Sequence, residues 1–261
     1  MGKLFEEKSR AGLKIVAEGD SWFAYPAITQ VKNLIRHLQD RGYIITNLST
    51  IGHTATEIVY GTILHEKYNY WPFQQIDQTL EIIDQQEPDI VLFSAGGNDI
   101  AGDELGTYLN HYKSGLPVLK EGFLKHTIEE SLRKAYVDFF TAVRSNNKKT
   151  QFIIHGYGYP PVNGDGVGLD LKSINFVGPW LKPAFSSRGF SDRRQNEREM
   201  RKVIDWFNDM LSGLADTYSY VHYVDLRKIT DDFSLWVNEL HLTSHGYKLA
   251  AEAFDKKIQE L

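Results

Sequence analysis

A chain of 261 residues with a formal net charge of −5 and no cysteine is long enough to bury one large core. The missing cysteines exclude a disulfide framework, a thiolate metal site and a thiol nucleophile. The mild negative charge argues against a surface built for phosphate backbones, so no nucleic-acid partner is expected.

The chain starts Met1-Gly2-Lys3-Leu4-Phe5-Glu6-Glu7-Lys8, without the apolar core of a leader, and a cytoplasmic protein is expected on that basis. No apolar run approaches the roughly 20 residues of a membrane span. Five β-rich runs follow: Leu13 to Ala17, Tyr43 to Leu48, Asp89 to Ser94, Gln151 to His155 and Val221 to Leu226. All but the second are near-continuous apolar runs, the pattern of strands covered on both faces. Helix-like patterns separate them. One begins around Ala27 and repeats at Val31, Leu34, Ile35 and Leu38; another uses Ile76, Leu80 and Ile83 and stops before Pro88. Longer ones run from His126 to Ser145, from Arg193 to Leu214, and from His241 or Thr243 to Leu261. Strands alternating with helices predict a parallel sheet with right-handed crossovers, hence a three-layer α/β/α sandwich in a single domain over 1–261.

One region breaks this rhythm. Residues 156–189 are rich in Gly, Pro and aromatics without periodicity, and a loop this long in a compact domain is usually functional or mobile. It reads as a lid or a cavity wall, or as plain packing of an irregular connection. The shorter irregular stretch Gly102 to Gly122 is expected at the same mouth.

Polar residues stand just past four strand ends or helix starts. Ile15-Val16-Ala17-Glu18-Gly19-Asp20-Ser21-Trp22 is an apolar strand that stops in a tight turn and delivers Ser21 to the carboxyl end of the sheet, where open α/β folds keep their chemistry. As an alternative, Asp20 and Ser21 merely cap the next helix. Gly52-His53-Thr54 follows the second run and can present a bare backbone N–H. Gly96-Gly97-Asn98-Asp99 follows the third run and also reads as a turn. Asn238-Glu239-Leu240-His241 precedes the last helix.

In this order the four segments resemble the SGNH (GDSL-type) hydrolase superfamily. Gly19-Asp20-Ser21 matches its first block, Gly52 the glycine of its second, Gly96-Gly97-Asn98-Asp99 its third, and His241 the histidine of its last. The resemblance implies a flavodoxin-like sandwich with five parallel strands. It also implies a serine nucleophile at Ser21, His241 as its base, and an oxyanion hole from the N–H groups of Ser21 and Gly52 with the Asn98 amide. The expected activity is cleavage of small-molecule carboxylic esters through an acyl-serine intermediate, with no cofactor. A serine hydroxyl needs such a neighbouring base to attack, and donors already aimed at the developing oxyanion supply much of the acceleration.

The departure is Asn238, where the family usually has Asp. Three readings stay open: a Ser–His dyad aided by Asn238 or a backbone carbonyl, an acid from elsewhere such as Glu239 or Asp232, or a weakened enzyme. The dyad is preferred.

Other residues admit second readings. His241 and His245 are spaced like metal ligands on one helical face, but no Glu lies between them, so the zinc-protease pattern is absent. His53 either touches the site or caps a helix, and His155 either binds substrate or is packed at its strand end. Glu18, Asp20 and Asp99 together could hold a cation, as in a metal-dependent phosphoesterase, although the Asp-x-His and Gly-His-x-His elements of that class are absent. Trp22, Phe23, Tyr25 and Trp180 read as cavity walls. A non-catalytic binding protein on the same fold is the third alternative.

Overall fold

The computed structural model of the chain describes residues 12–26, 29–61, 75–168 and 175–261. The leader reading at Met1 to Lys8 and the helix start at Ala27 fall outside those residues.

Among the described residues there are seven strands: β1 (Lys14–Gly19), β2 (Ile44–Asn47), β3 (Ile90–Ser94), β4 (Gln151–His155), β5 (Val167–Gly168), β6 (Asn175–Val177) and β7 (Val221–Val224). Five form one sheet in the order β2-β1-β3-β4-β7, and every pairing in it is parallel. β5 and β6 form a separate antiparallel ribbon within the 156–189 region. The α-helices among the described residues are α1 (Ser21–Ala24), α2 (Leu34–Asp40), α3 (Ala55–Tyr60), α4 (Gln75–Gln86), α5 (Asp103–Tyr108), α6 (Glu121–His126), α7 (Arg133–Asn146), α8 (Lys182–Ser187), α9 (Arg193–Thr217) and α10 (Ser244–Gln259).

The sheet is covered on both faces. On one face α1, α2 and α10 pack together; on the other lie α3, α4, α7 and α9. Side-chain alternation explains the division. Phe93 and Phe152 point to the second face, where Phe93 stacks on Phe139 of α7 at 4.1 Å and Phe152 meets Phe140 at 4.6 Å. His155 points to the first face and packs against Phe254 of α10 at 5.5 Å. The central strands are buried throughout in β3 and nearly so in β1 and β4, which is why they read as unbroken apolar runs.

Three expectations need revision. The last sheet strand ends at Val224 rather than Leu226 and is an edge strand: α9 and α10 cover its two faces, yet His222 and Tyr223 are only half-buried. The segment from His126 to Ser145 is not one regular helix. It begins at Glu121 as α6, passes through a π-helical stretch at Thr127–Leu132, and continues as α7. The wider turn keeps Ile128 and Leu132, four residues apart, both buried. Finally, helix begins directly at Ser21 as the single turn α1, with Asp20 as its N-cap.

Candidate active site

Gly19 ends β1 with φ 155°, and a Cβ there would lie 2.3 Å from the Ser94 carbonyl oxygen. Only glycine permits that approach. The Asp20 N–H then donates to the same carbonyl at 3.0 Å, tying the turn to the end of β3. Asp20 Oδ1 accepts from the Trp22 N–H (3.0 Å) and the Ser94 hydroxyl lies 2.8 Å from it, while Oδ2 accepts from the Tyr157 hydroxyl (2.5 Å). Ser21 follows on a turn anchored from three sides.

His241 arrives from the opposite end of the chain on a tight turn before α10. The Val237 N–H donates to the His241 carbonyl at 2.9 Å, and the Thr243 N–H to the Leu235 carbonyl at 2.7 Å. The Trp22 indole N–H donates to the Leu240 carbonyl at 3.0 Å, joining this turn to α1. The result is a Ser21 Oγ to His241 Nε2 distance of 2.7 Å across 220 positions of sequence. On the other side of the ring, Nδ1 is 3.0 Å from Asn238 Oδ1. A carbonyl-type oxygen only accepts, so Nδ1 carries the proton and Nε2 offers its lone pair to Ser21. The amide cannot turn round without loss. Its Oδ1 also accepts the N–H groups of Leu240 and His241 at 2.9 Å each, and its Nδ2 donates to Tyr25 Oη at 3.2 Å.

His241 is 5% exposed, and burial pushes its pKa down to about 3 by penalising the imidazolium. The ring is flanked by Tyr25 at 4.3 Å and Trp180 at 5.7 Å. A neutral base with its lone pair on a hydroxyl can take that proton as the oxygen attacks.

Of the expected oxyanion donors, Ser21 and Asn98 line the cavity, whereas Gly52 does not. Within the described residues the N–H groups of Ser21 and Gly52 have no intramolecular acceptor. The Gly52 loop is held beside β1 by the Thr50 N–H on the Gly19 carbonyl at 2.9 Å. Asn98 lines the same cavity as Ser21, with one amide N–H on the His53 carbonyl at 2.9 Å and the other left over. Asp99 accepts the Ala55 N–H at 2.8 Å, so the two loops are clamped twice. Burial raises the Asp99 carboxyl to about 6.

A sequence model of the GDSL-like Lipase/Acylhydrolase family matches residues 17–249. The chain belongs to this family. Its fold is similar to that of the lipase Lip_vut3 from a goat rumen metagenome, at 14% identity over 94% of this chain and 96% of that one, TM-score 0.56. An extracellular lipase from Streptomyces rimosus is similar at 13% identity over 94% and 99%, TM-score 0.55. A family 3 carbohydrate esterase from Talaromyces cellulolyticus is similar at 14% identity over 95% and 97%, TM-score 0.51. No curated protein matches the sequence. Family and fold together support a hydrolase. Among the described residues, no helix is long and apolar enough to cross a membrane.

The GDSL-like chain departs from several expectations. Neither alternative acid reaches the imidazole: Asp232 is exposed and caps a short 3₁₀ turn through the Ser234 N–H. Glu239 accepts four backbone N–H groups from the 156–189 region, those of Gly164, Trp180, Leu181 and Lys182, at 2.6 to 3.0 Å. Glu18, Asp20 and Asp99 do not converge. Glu18 is bonded to Gln75, Thr79 and the Gly19 N–H, and no cluster of three metal-ligating side chains occurs among the described residues. His155 is fully buried between the Ser94 hydroxyl and the Gly156 carbonyl, His245 is exposed, and the His53 carbonyl serves Asn98. Phe23 belongs to the core and Tyr25 to the His241 ring; of the four aromatics only Trp22 lines the cavity. No residue of 102–122 lines it either, although the adjoining Ile100 and Ala101 do.

A narrow, open-mouthed cavity of about 60 Å³ lies beside Ser21. Pro160, Leu181, Met200, Val203, Ile204 and Phe207 form much of its wall. Sequence reasoning missed the α9 contribution and the anchoring pair Ser94 and Tyr157. Tyr157 had a readable position, two residues past the end of β4.

Proposed function

We propose that this GDSL-like hydrolase is a serine esterase that cleaves carboxylic esters of small molecules through an acyl-Ser21 intermediate. The observation that carries the reading is the 2.7 Å contact between Ser21 Oγ and a buried, neutral His241 whose Nδ1 proton is held on Asn238. In the first step Ser21 Oγ bonds to the ester carbon while its proton passes to His241 Nε2. The carbonyl oxygen becomes an oxyanion facing the N–H groups of Ser21 and Gly52 and the free amide hydrogen of Asn98. Collapse breaks the bond to the alcohol, which leaves with the proton from Nε2. Water then enters by the same route in reverse roles and releases the carboxylic acid. Asn238 acts as the orienting partner of the dyad, without supplying charge.

The test uses a series of aryl esters of increasing acyl length on wild type, Ser21→Ala and His241→Ala, with an organophosphonate to label the nucleophile. Hydrolysis by wild type, loss of at least a thousandfold in both variants, and a label on Ser21 are expected. Turnover of aryl esters unaffected by Ser21→Ala, or a folded wild type that neither hydrolyses nor labels, would overturn the proposal.

A further inference from the structure

Glu239 sits two positions before His241, is fully buried, and lies in the cavity wall beside Ser21. Its carboxylate is consumed. Oε1 takes the N–H groups of Gly164 (2.9 Å) and Lys182 (3.0 Å), and Oε2 takes those of Trp180 (2.7 Å) and Leu181 (2.6 Å). The Glu239 N–H adds a bond to the Asp165 carbonyl at 3.2 Å. One side chain therefore fastens both limbs of the 156–189 region to the histidine turn. A carboxylate satisfied by four backbone donors is a strong, geometrically specific anchor. What it holds is functional: Leu181 in the cavity wall, and Trp180 against the His241 ring.

The cavity walls show what this placement selects. Apart from Ser21 and Asn98, the polar side chains at the cavity are already engaged: Asp20 and Tyr157 with one another, Glu239 with the loop. The rest of the lining is apolar or glycine. Apart from Ser21 and Asn98, no side chain at the cavity is left free to bond a sugar hydroxyl, whereas buried methylenes are favoured by about fourfold each in binding.

We infer that Glu239 is a positioning residue for acyl-group specificity: by pinning Leu181 and Trp180 onto the catalytic turn it completes an apolar slot that favours an acyl chain of several carbons over acetyl. The inference rests on the esterase reading above.

The experiment measures kcat and KM for aryl acetate, butyrate, hexanoate and octanoate on wild type, Glu239→Ala, Glu239→Gln and Leu181→Ala, with near-UV circular dichroism as the check of folding. Wild type should prefer hexanoate to acetate by roughly a hundredfold in kcat/KM if each added methylene is buried. Glu239→Ala should reduce that preference at least tenfold, chiefly through a higher KM for hexanoate. Glu239→Gln, which keeps one acceptor but turns an NH₂ toward the loop N–H groups, should fall between. Leu181→Ala removes part of the wall without touching the anchor and should reduce the preference even where the Glu239 variants fail to fold. Folded Glu239 variants that lose acetate and hexanoate turnover in equal proportion, a Leu181→Ala enzyme with the wild-type preference, or a wild type that prefers acetate would overturn the inference. Failure of the esterase reading looks different: no ester of any length is turned over and Ser21 does not label.

Discussion

Replacing Asn238 by Asp separates what orients His241 from what charges it. In serine proteases the reverse change costs about 10⁴ in turnover, because the amide leaves the imidazole in the wrong tautomer. Here that penalty is avoided. The N–H groups of Leu240 and His241 fix Asn238 Oδ1 as the acceptor facing Nδ1. Only the charge is missing. A carboxylate about 4 Å from the imidazolium centre is worth ~4 kcal/mol at an effective dielectric of 20, from which its own desolvation must be subtracted. The new side chain would still be satisfied, since Tyr25 can turn its hydroxyl from accepting Asn238 Nδ2 to donating to Asp. Asn238→Asp should therefore raise kcat roughly 10- to 100-fold, each tenfold being 1.36 kcal/mol of barrier. It should also raise the pKa of His241 in the free enzyme. Wild-type His241, held at about 3, stays neutral over the working range, so kcat/KM should show no histidine limb above pH 5. In the variant a limb should appear roughly two units higher than about 3, where the imidazolium begins to persist. Stopped-flow hydrolysis of an aryl ester from pH 4 to 9 reads both quantities. Unchanged or lower kcat with no new acid limb would refute the argument and show that the Asn238 amide N–H is itself required.

Other outcomes follow from the same geometry. Asn98→Ala should lower kcat about 100- to 1,000-fold with a smaller change in KM, as loss of one oxyanion donor does; steady-state kinetics on the same ester decides. Gly19→Ala places a methyl carbon 2.3 Å from the Ser94 carbonyl and should prevent accumulation of folded protein, read by soluble yield and circular dichroism. Tyr25→Phe leaves the buried Asn238 NH₂ without its acceptor and should cost about 1–3 kcal/mol in urea unfolding. Asp99 has a folded pKa of about 6, raised by burial above its ordinary 3.8. Its contribution to stability is full below pH 4 and lost as pH rises through 6, so the stability difference between wild type and Asp99→Asn should move against wild type over that window.

The blocks that hold the chemistry were legible because each lies where an apolar strand stops or a helix begins. Ser21, Gly52, Asn98 and His241 became candidates through the rule that the carboxyl ends of parallel strands share one rim, and through the order of their segments, which resembles the SGNH hydrolases; each segment alone is weak. Other features had no local sign. Glu239 finds its four donors 57 to 75 positions away, and nothing in the stretch Asn238-Glu239-Leu240-His241 tells which acidic or amide side chain turns to the imidazole. Met200, Val203, Ile204 and Phe207 form a helical apolar stripe, and such a stripe reads the same whether it covers a sheet or lines a cavity. The six-residue helices α3, α5 and α8 are too short for periodicity to show.

One buried chain of contacts ties the Ser21 turn to the end of β4. Asp20 Oδ1, Ser94 Oγ, His155 Nε2, His155 Nδ1 and the Gly156 carbonyl are joined by contacts of 2.8, 2.9 and 3.0 Å. Three contacts need three protons. The Ser94 hydroxyl and a neutral imidazole supply two, and the carbonyl supplies none. The third sits either on Asp20 or on a second nitrogen of His155. Burial raises the Asp20 carboxyl, against the Tyr157, Trp22 and Ser94 hydrogen bonds that lower it, and lowers His155 to about 4, so the imidazole is neutral at neutral pH. Asn238, the group that holds His241 Nδ1, is likewise uncharged, so no counter-charge touches the imidazole directly. The oxyanion and the imidazolium formed with it then stabilise each other. Nitrogen-15 spectra of His155 should show Nδ1 protonated and Nε2 bare from pH 5 to 9; a doubly protonated ring at neutral pH would replace the neutral imidazole by half of a buried ion pair.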